Sequence, residues 1–133
     1  MTAVDTNVLV RFLVADDDVQ TQTVYKLFKD AETRRVTFLV SLLVVLELVW
    51  VLESVYEIHR REIIDTVESL LKMTVLKVES PDVVRRVLED ARKNTCDLSD
   101  LLIGHVASAA GCDSVLSFDK KACRHPLFRM LHA

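Results

Sequence analysis

Short apolar segments alternate with amphipathic helical segments along the whole of this 133-residue chain. This alternation predicts an α/β fold, because strands connected by helical crossovers pair in parallel. The sequence has only two Gly and two Pro, too few for the many tight turns of an all-β fold. We therefore predict a single domain, residues 1–133, built as a three-layer α/β/α sandwich with a mostly parallel central sheet.

Apolar periodicity and capping residues place the boundaries of the predicted elements. Ser41 is positioned to cap the helix after the second strand. Ser80 with Pro81 forms a strong helix start, in which the Ser80 hydroxyl is expected to cap the helix. Strands are predicted over 2–5, 36–40, 74–78, 114–118 and 128–131. Helices are predicted over 19–34, 42–57, 59–72, 81–93 and 98–110, and residues 7–14 are predicted to form a short helix or a turn. The second helix is expected to bury Val24, Leu27, Phe28 and Ala31.

Residues 36–52 approach transmembrane length and carry Glu47 as their one charge. The run is slightly short and includes Thr37 and Ser41, so we expect a buried strand followed by a buried helix, with no membrane span. Asp5 and Arg11 interrupt the apolar character of the N-terminal region. We therefore expect no signal peptide there.

The cysteines and histidines show no metal-ligand spacing. Cys96, Cys112 and Cys123 contain no C-x-x-C pair, so we expect reduced thiols in a cytoplasmic protein. His105 lies in the same predicted helix as Asp100, but residues five apart do not share a helical face well. We therefore expect no site role for histidine.

Four acidic residues lie in or against apolar runs: Asp5, Glu47, Asp100 and Asp119. A carboxylate buried in such surroundings must be paired, hydrogen-bonded or metal-bound. Asp5 and Asp119 lie at the ends of predicted strands, Glu47 lies in the second turn of its predicted helix and Asp100 in the first turn of its own. All four are therefore expected at the carboxyl edge of the sheet. A divalent cation held between them would neutralise their charge. The constellation therefore predicts a metal-dependent enzyme.

Each acid also has a structural alternative. Asp5 fits an Asx turn that leaves the first strand, and Asp119 fits a loop acid or a cap. Asp97 and Asp100 are spaced as in a capping box, which needs no metal. Glu47 is hardest to explain in this way, because no Lys or Arg lies close to it in sequence.

Four segments carry a resemblance to a known family: Val4–Val10, Ser41 with Glu47–Leu52, Asp97–Ile103 and Ser117–Lys121. In this order and context, the chain resembles the PIN-domain ribonucleases. It is most similar to the VapC toxins of bacterial and archaeal toxin–antitoxin pairs. The matching segments span almost the whole chain, and the first and last are fairly specific together.

The resemblance implies a role for each matching residue. Asp5, Glu47, Asp100 and Asp119 take the places of the family's four catalytic, metal-binding acids, and Asp97 matches an auxiliary acid. The polar residues implied to support the acids are Asn7, Ser41 and Ser117. Two departures, Leu101 and Gly104 where Ala is more usual, remove no ligand and concern the packing of their helix.

The implied chemistry is hydrolysis of RNA phosphodiester bonds. Oxygen ligands select Mg²⁺ or Mn²⁺ over zinc, and the bound ion would activate water for in-line attack. The basic residues expected to bind the RNA backbone are Arg11, Lys120, Lys121 and Arg124. The resemblance further implies a cognate antitoxin protein and a homodimer.

Other α/β proteins also place an Asp after the first strand. A phosphatase-like domain needs a second acid two residues later, where this chain has Asn7. A phosphoaccepting receiver uses a late Lys, for which Lys120 is available, but its early pair of acids is absent. A third alternative is a PIN fold that is retained only for binding.

Overall fold

The computed structural model describes all 133 residues and divides them into two compact units. Unit 1 comprises Met1–Glu79, and unit 2 comprises Ser80–Ala133. Each unit contains helices and parallel strands, which confirms the predicted α/β class. The single domain stays a prediction.

Unit 1 contains three strands and four helices. They are β1 (Thr2–Ala3), α1 (Thr6–Val14), α2 (Asp18–Arg34), β2 (Phe38–Val40), α3 (Leu42–Ser54), α4 (Arg60–Lys72) and β3 (Leu76–Val78). The strands form a parallel sheet in the order β1-β2-β3, with Phe38 of β2 paired to both Thr2 and Leu76. The three strands therefore end at the same edge of this sheet, where Asp5, Ser41 and Glu79 follow.

The core of unit 1 is formed by apolar side chains from the helices and the central strand. The least exposed of them are Leu9, Val40, Leu48, Leu52 and Ile63. Ser41 caps α3 as predicted, because its Oγ accepts a hydrogen bond from the Val44 N–H at 3.2 Å. This cap fixes where α3 begins and therefore which residues it presents beside the end of β2.

Unit 2 contains two helices, two strands and a short 3₁₀ turn. They are α5 (Pro81–Ala91), α6 (Leu98–Ala109), β4 (Val115–Ser117), the turn Ala122–Arg124 and β5 (Phe128–Met130). α5 packs against α6, and β4 pairs in parallel with β5. Leu101 is fully buried in α6, so its larger side chain is accommodated in the core.

Most of the predicted elements are confirmed within a few residues, but three local expectations are wrong. Leu27 is 40% exposed, because α2 turns a narrower stripe inward than expected. Ser80 precedes α5 in a left-handed conformation (φ 48°) and makes no side-chain cap hydrogen bond. The helix α3 is not fully buried, since Leu43 is 78% exposed and Trp50 is 57% exposed. None of the helices combines the length and the apolar character that a membrane span requires.

Gly104 lies where α6 closely approaches the segment that leads into β5. A Cβ at this position would meet the Phe128 ring at 3.1 Å and a Leu127 methyl at 3.2 Å. These separations are tighter than ordinary van der Waals contact, so a methyl group must displace both neighbours. The departure from Ala at this position therefore has a packing explanation.

Gly104→Ala is expected to lower the free energy of unfolding by about 1 kcal/mol, because crowding against Phe128 outweighs the gain in helix propensity. Urea unfolding monitored by circular dichroism measures the change. Ser108→Ala, at an exposed position of the same helix, is the control and should be neutral or slightly stabilising. An equal gain in stability for both variants would contradict the packing argument.

Candidate active site

Asp5 lies at the carboxyl end of β1, where the chain enters α1. Pairing with β2 extends one residue past β1, since the Val4 N–H donates to the Leu39 carbonyl at 3.0 Å. Asp5 is the N-cap of α1, and its Oδ1 accepts from the Val8 N–H at 3.2 Å. The capping alternative for Asp5 is therefore observed. The cap engages Oδ1 and holds an exposed carboxylate at the sheet edge.

Glu47 lies in the second turn of α3 and is exposed to solvent. It shares a helical face with Leu43 and Trp50, as expected, but that face points outward. No Lys or Arg forms an ion pair with Glu47, so its negative charge is not neutralised within unit 1.

Glu79 is an acid that the sequence did not single out. It directly follows β3, and its N–H donates to the Val40 carbonyl at 2.8 Å. Its Oε1 accepts from the Leu42 N–H at 2.8 Å, in the first turn of α3. Glu79 thus adds a second anchor to the helix end that Ser41 caps, and it supports the helix that carries Glu47.

Asp100 is the centre of an acidic cluster in unit 2. It lies half-buried in the first turn of α6. Burial raises the pKa of Asp100, and the nearby negative charges of Asp97 and Asp119 raise it further, while Lys121 opposes them. Three of the predicted site acids therefore influence one another electrostatically in unit 2.

Asp97 occupies the N-cap position of α6 but makes no side-chain cap hydrogen bond. Its Oδ1 instead accepts from the Lys121 Nζ at 3.1 Å. The capping-box alternative for Asp97 and Asp100 is therefore not observed. Lys121 partly balances the charge of the cluster.

Asp119 is held by the turn that follows β4. Its Oδ1 accepts from the Lys121 N–H at 2.8 Å and the Ala122 N–H at 3.2 Å, so it holds the backbone where the 3₁₀ turn begins. Its own N–H donates to the Ser117 Oγ at 3.0 Å. Ser117 therefore contacts the acid that it was predicted to support.

The expectation that the four acids are buried is wrong. Asp5, Glu47 and Asp119 are exposed and Asp100 is half-buried, because they lie at element ends or on an outward helical face. Burial alone therefore does not require a metal. Unit 1 carries the first two of these acids and unit 2 the other two, and the convergence of all four stays a prediction.

The basic residues predicted to bind RNA differ in their surroundings. Arg11 is held in unit 1, where its Nε donates to the Gln20 Oε1 at 2.7 Å and its Nη1 pairs with Asp16. Lys120, Lys121 and Arg124 are all exposed, and Lys121 also pairs with Asp97. Asn7 is also exposed, on α1.

Asp16 gives unit 1 a source of acid sensitivity. The Tyr56 hydroxyl donates to Asp16 Oδ2 at 2.9 Å, and this bond together with the Arg11 charge holds the pKa of Asp16 below its usual value despite partial desolvation. Because the pKa of Asp16 is lower in the folded than in the unfolded state, its carboxylate stabilises the fold at pH values above the unfolded-state pKa. This stabilisation is lost as the pH falls through the folded-state pKa.

Asp16→Asn is therefore expected to flatten the decline of stability below about pH 4. The measurement is urea unfolding at a series of pH values between neutral and strongly acidic. An unchanged slope of unfolding free energy against pH in the variant would contradict this assignment.

Asp90, His105 and His125 form a cluster in unit 2 that sequence reasoning missed. Both Nε2 atoms lie 2.7 Å from the same Asp90 Oδ2. Burial tends to raise the pKa of Asp90, but the hydrogen bonds from the two histidines outweigh it and lower the pKa below its usual value. The residues lie 15 and 35 positions from Asp90 in sequence, so no local spacing signals the contact.

Two comparisons place the chain among known proteins. A family model described as the PIN domain matches residues 2–126. A protein from Aquifex aeolicus (strain VF5), named VapC ribonuclease, is 27% identical over 121 residues. The matched region covers 91% of this chain and 89% of that relative.

Proposed function

Because this chain belongs to the PIN-domain family, we propose that it is a metal-dependent endoribonuclease of the VapC type. In this proposal it acts as the toxin of a toxin–antitoxin pair and hydrolyses RNA phosphodiester bonds. Membership of the family removes the receiver and phosphatase alternatives. A PIN domain that only binds RNA remains as the outcome that the experiments below distinguish.

The acidic cluster around Asp100 is the observation that carries this proposal. Burial raises the pKa of Asp100, and the charges of Asp97 and Asp119 raise it further against the opposing charge of Lys121, so a negative charge on Asp100 is disfavoured in the folded protein. A divalent cation relieves such repulsion, and a donor set made only of carboxylate oxygens fits Mg²⁺ or Mn²⁺. The proposed ligands are Asp5, Glu47, Asp100 and Asp119, with Asp97 as an auxiliary acid.

When bound, the ion supplies Lewis acidity and lowers the pKa of a bound water. The residues of the chain hold and orient the acids. Ser117 and the N–H groups of Lys121 and Ala122 fix the turn and carboxylate of Asp119. Ser41 and Glu79 anchor the start of the helix that carries Glu47.

Basic side chains next to the acids are proposed to bind the RNA backbone. Lys120 and Arg124 are exposed beside the turn that carries Asp119, which suits contact with phosphate groups. Lys121 lies closer to the acids and balances Asp97. Arg11 is the least available of the proposed RNA-binding residues, since Asp16 and Gln20 engage its guanidinium.

A cognate antitoxin, a homodimer and a cytoplasmic location complete the proposal. The outward face of α3 supports a protein interface, because Leu43 and Trp50 expose large apolar surfaces on either side of Glu47. A protein bound to this face would also cover Glu47. The same surface therefore suits inhibition by a partner.

Removal of divalent metal is expected to abolish RNA cleavage, because the acids would then repel the phosphate. The experiment is cleavage of a mixed pool of structured RNAs by the metal-stripped protein with Mg²⁺, Mn²⁺ or excess chelator. RNA binding is measured in parallel. Cleavage that persists in chelator would contradict the metal requirement, and binding without cleavage under every condition would favour the binding-only alternative.

A further inference from the structure

The contact between Asp90, His105 and His125 joins three separate parts of unit 2. Asp90 lies near the end of α5, His105 lies in α6, and His125 follows the 3₁₀ turn before β5. One ligand atom from each residue lies within 4.8 Å of the other two. None of the proposed active-site acids belongs to this group.

We propose that Asp90, His105 and His125 form a second metal site, which binds Zn²⁺ rather than Mg²⁺. Two imidazole nitrogens and one carboxylate oxygen are ligands that zinc accepts, whereas Mg²⁺ prefers oxygen ligands throughout. Three protein ligands with a water in the fourth position form a common open zinc site. The site is thus chemically distinct from the all-carboxylate cluster around Asp100.

A pocket beside the three residues provides space for the fourth ligand. It has a volume of about 520 Å³, and Asp90, His105 and His125 contribute to its wall. The three side chains are between 9% and 21% exposed, so they are largely shielded from solvent but still reachable by an ion from the pocket. Arg124 and Lys121 also line the pocket, and Asp97 balances the charge of Lys121.

The ligands are oriented by bonds to their other polar atoms. Asn94 Nδ2 donates to Asp90 Oδ1 at 2.8 Å, which leaves Oδ2 directed toward the histidines. Outer contacts of this kind orient the ligands of metal sites. Neighbouring ligand atoms in a tetrahedral zinc site lie about 3.4 Å apart. The two distances of 2.7 Å from the histidine Nε2 atoms to Asp90 Oδ2 need to increase by less than about 1 Å to reach that spacing.

Zinc binding would also change the tautomer of His125. The Leu127 N–H donates to His125 Nδ1 at 3.1 Å, so the ring carries its proton on Nε2 and donates it to Asp90. Zinc at Nε2 requires this proton to move to Nδ1, where it opposes the Leu127 N–H. The Leu127 amide loses its acceptor, and metal binding is thereby coupled to the backbone that leads into β5.

The test measures metal binding by an Asp100→Asn variant without RNA and with excess Mg²⁺, so that its result does not depend on the proposed nuclease activity. Co²⁺ is the absorbing probe, and Zn²⁺ is added as its competitor. We expect one tightly bound equivalent with the spectrum of a four-coordinate nitrogen and oxygen site. His105→Gln in the same background should weaken binding by at least about 100-fold, because it removes a direct ligand.

His59→Gln is the matched control, because His59 is exposed in unit 1 and makes no side-chain cap hydrogen bond. Its affinity for Co²⁺ should equal that of the background protein. A second readout is nuclear magnetic resonance. The nitrogen resonances of the Leu127 amide and of the His125 ring should both shift on addition of Zn²⁺. Circular dichroism confirms that each variant is folded.

Any of three results would overturn the proposal. One is the absence of a bound equivalent in the folded Asp100→Asn protein, which would make the three residues a purely structural hydrogen-bonded group. Another is equal binding by His105→Gln and the background protein. Thiolate absorption in the Co²⁺ spectrum would instead assign the ion to a cysteine and contradict the proposed ligand set.

Discussion

Replacing Asp100 with Asn is expected to lower the rate of RNA cleavage by about 100- to 1000-fold, the range seen when one electrostatic contact to a reacting centre is removed. Asp100 is the half-buried member of the acidic cluster, and its charge is opposed by both Asp97 and Asp119. The amide keeps the shape of the side chain but removes the negative charge that a cation needs. The loss should therefore appear in catalysis, while unfolding free energy stays constant or rises.

The control for this variant is Asp113→Asn, which alters an exposed acid in the same unit. Both proteins are assayed with saturating Mg²⁺ and then with Mn²⁺, and their urea unfolding curves are compared. Asp113→Asn should cleave at the wild-type rate. Wild-type cleavage by a folded Asp100→Asn protein would remove Asp100 from the proposed site.

Replacing Asp90 with Ala is expected to lower the free energy of unfolding by about 2–3 kcal/mol in metal-free buffer. The change deletes the acceptor of three hydrogen bonds, from His105, His125 and Asn94. Bonds to a charged group contribute about 1.5–3 kcal/mol each before allowance for exposure and for partners that find water instead. The Nε2–H groups of His105 and His125 would lose the atom that holds them together. The packing of α5, α6 and the turn before β5 should loosen as a result.

Asp90→Asn is the informative comparison, because Asn retains one acceptor oxygen but no charge. It should lose about half as much unfolding free energy as the Ala variant. Urea unfolding with excess chelator measures both changes and keeps them separate from metal binding. If the Asp90→Ala protein and the wild type unfold at the same urea concentration, the hydrogen bonds of Asp90 contribute nothing to stability.

Local patterns were sufficient to predict the elements of this fold. Strand and helix boundaries depend on residues within a few positions of one another, such as Ser41 with the apolar run of α3, and Pro81 at the start of α5. The structural roles considered for Asp5 as a cap and for Asp119 as a loop acid are also local, and the carboxylates of both accept nearby backbone N–H groups. Local patterns failed at Leu27 and Ser80. The exposure of Leu27 and the backbone conformation of Ser80 depend on neighbouring segments.

The candidate site was predicted less completely than the fold. The resemblance and the acid pattern identified Asp97, Asp100 and Asp119, which interact in unit 2. Their exposure was predicted wrongly, because apolar neighbours in sequence do not determine which way a side chain faces. Glu79 was missed because its contact with Leu42 joins residues 37 positions apart, which no local pattern indicates.

The order of strands and helices, the family and the positions of the acids can be predicted without a structure, because they follow from local periodicity and short motifs. Three features required the folded chain to be seen: Glu47 faces outward, Lys121 pairs with Asp97, and two histidines share the carboxylate of Asp90. These contacts arise when distant segments pack together. The spacing of residues along one segment therefore does not predict them.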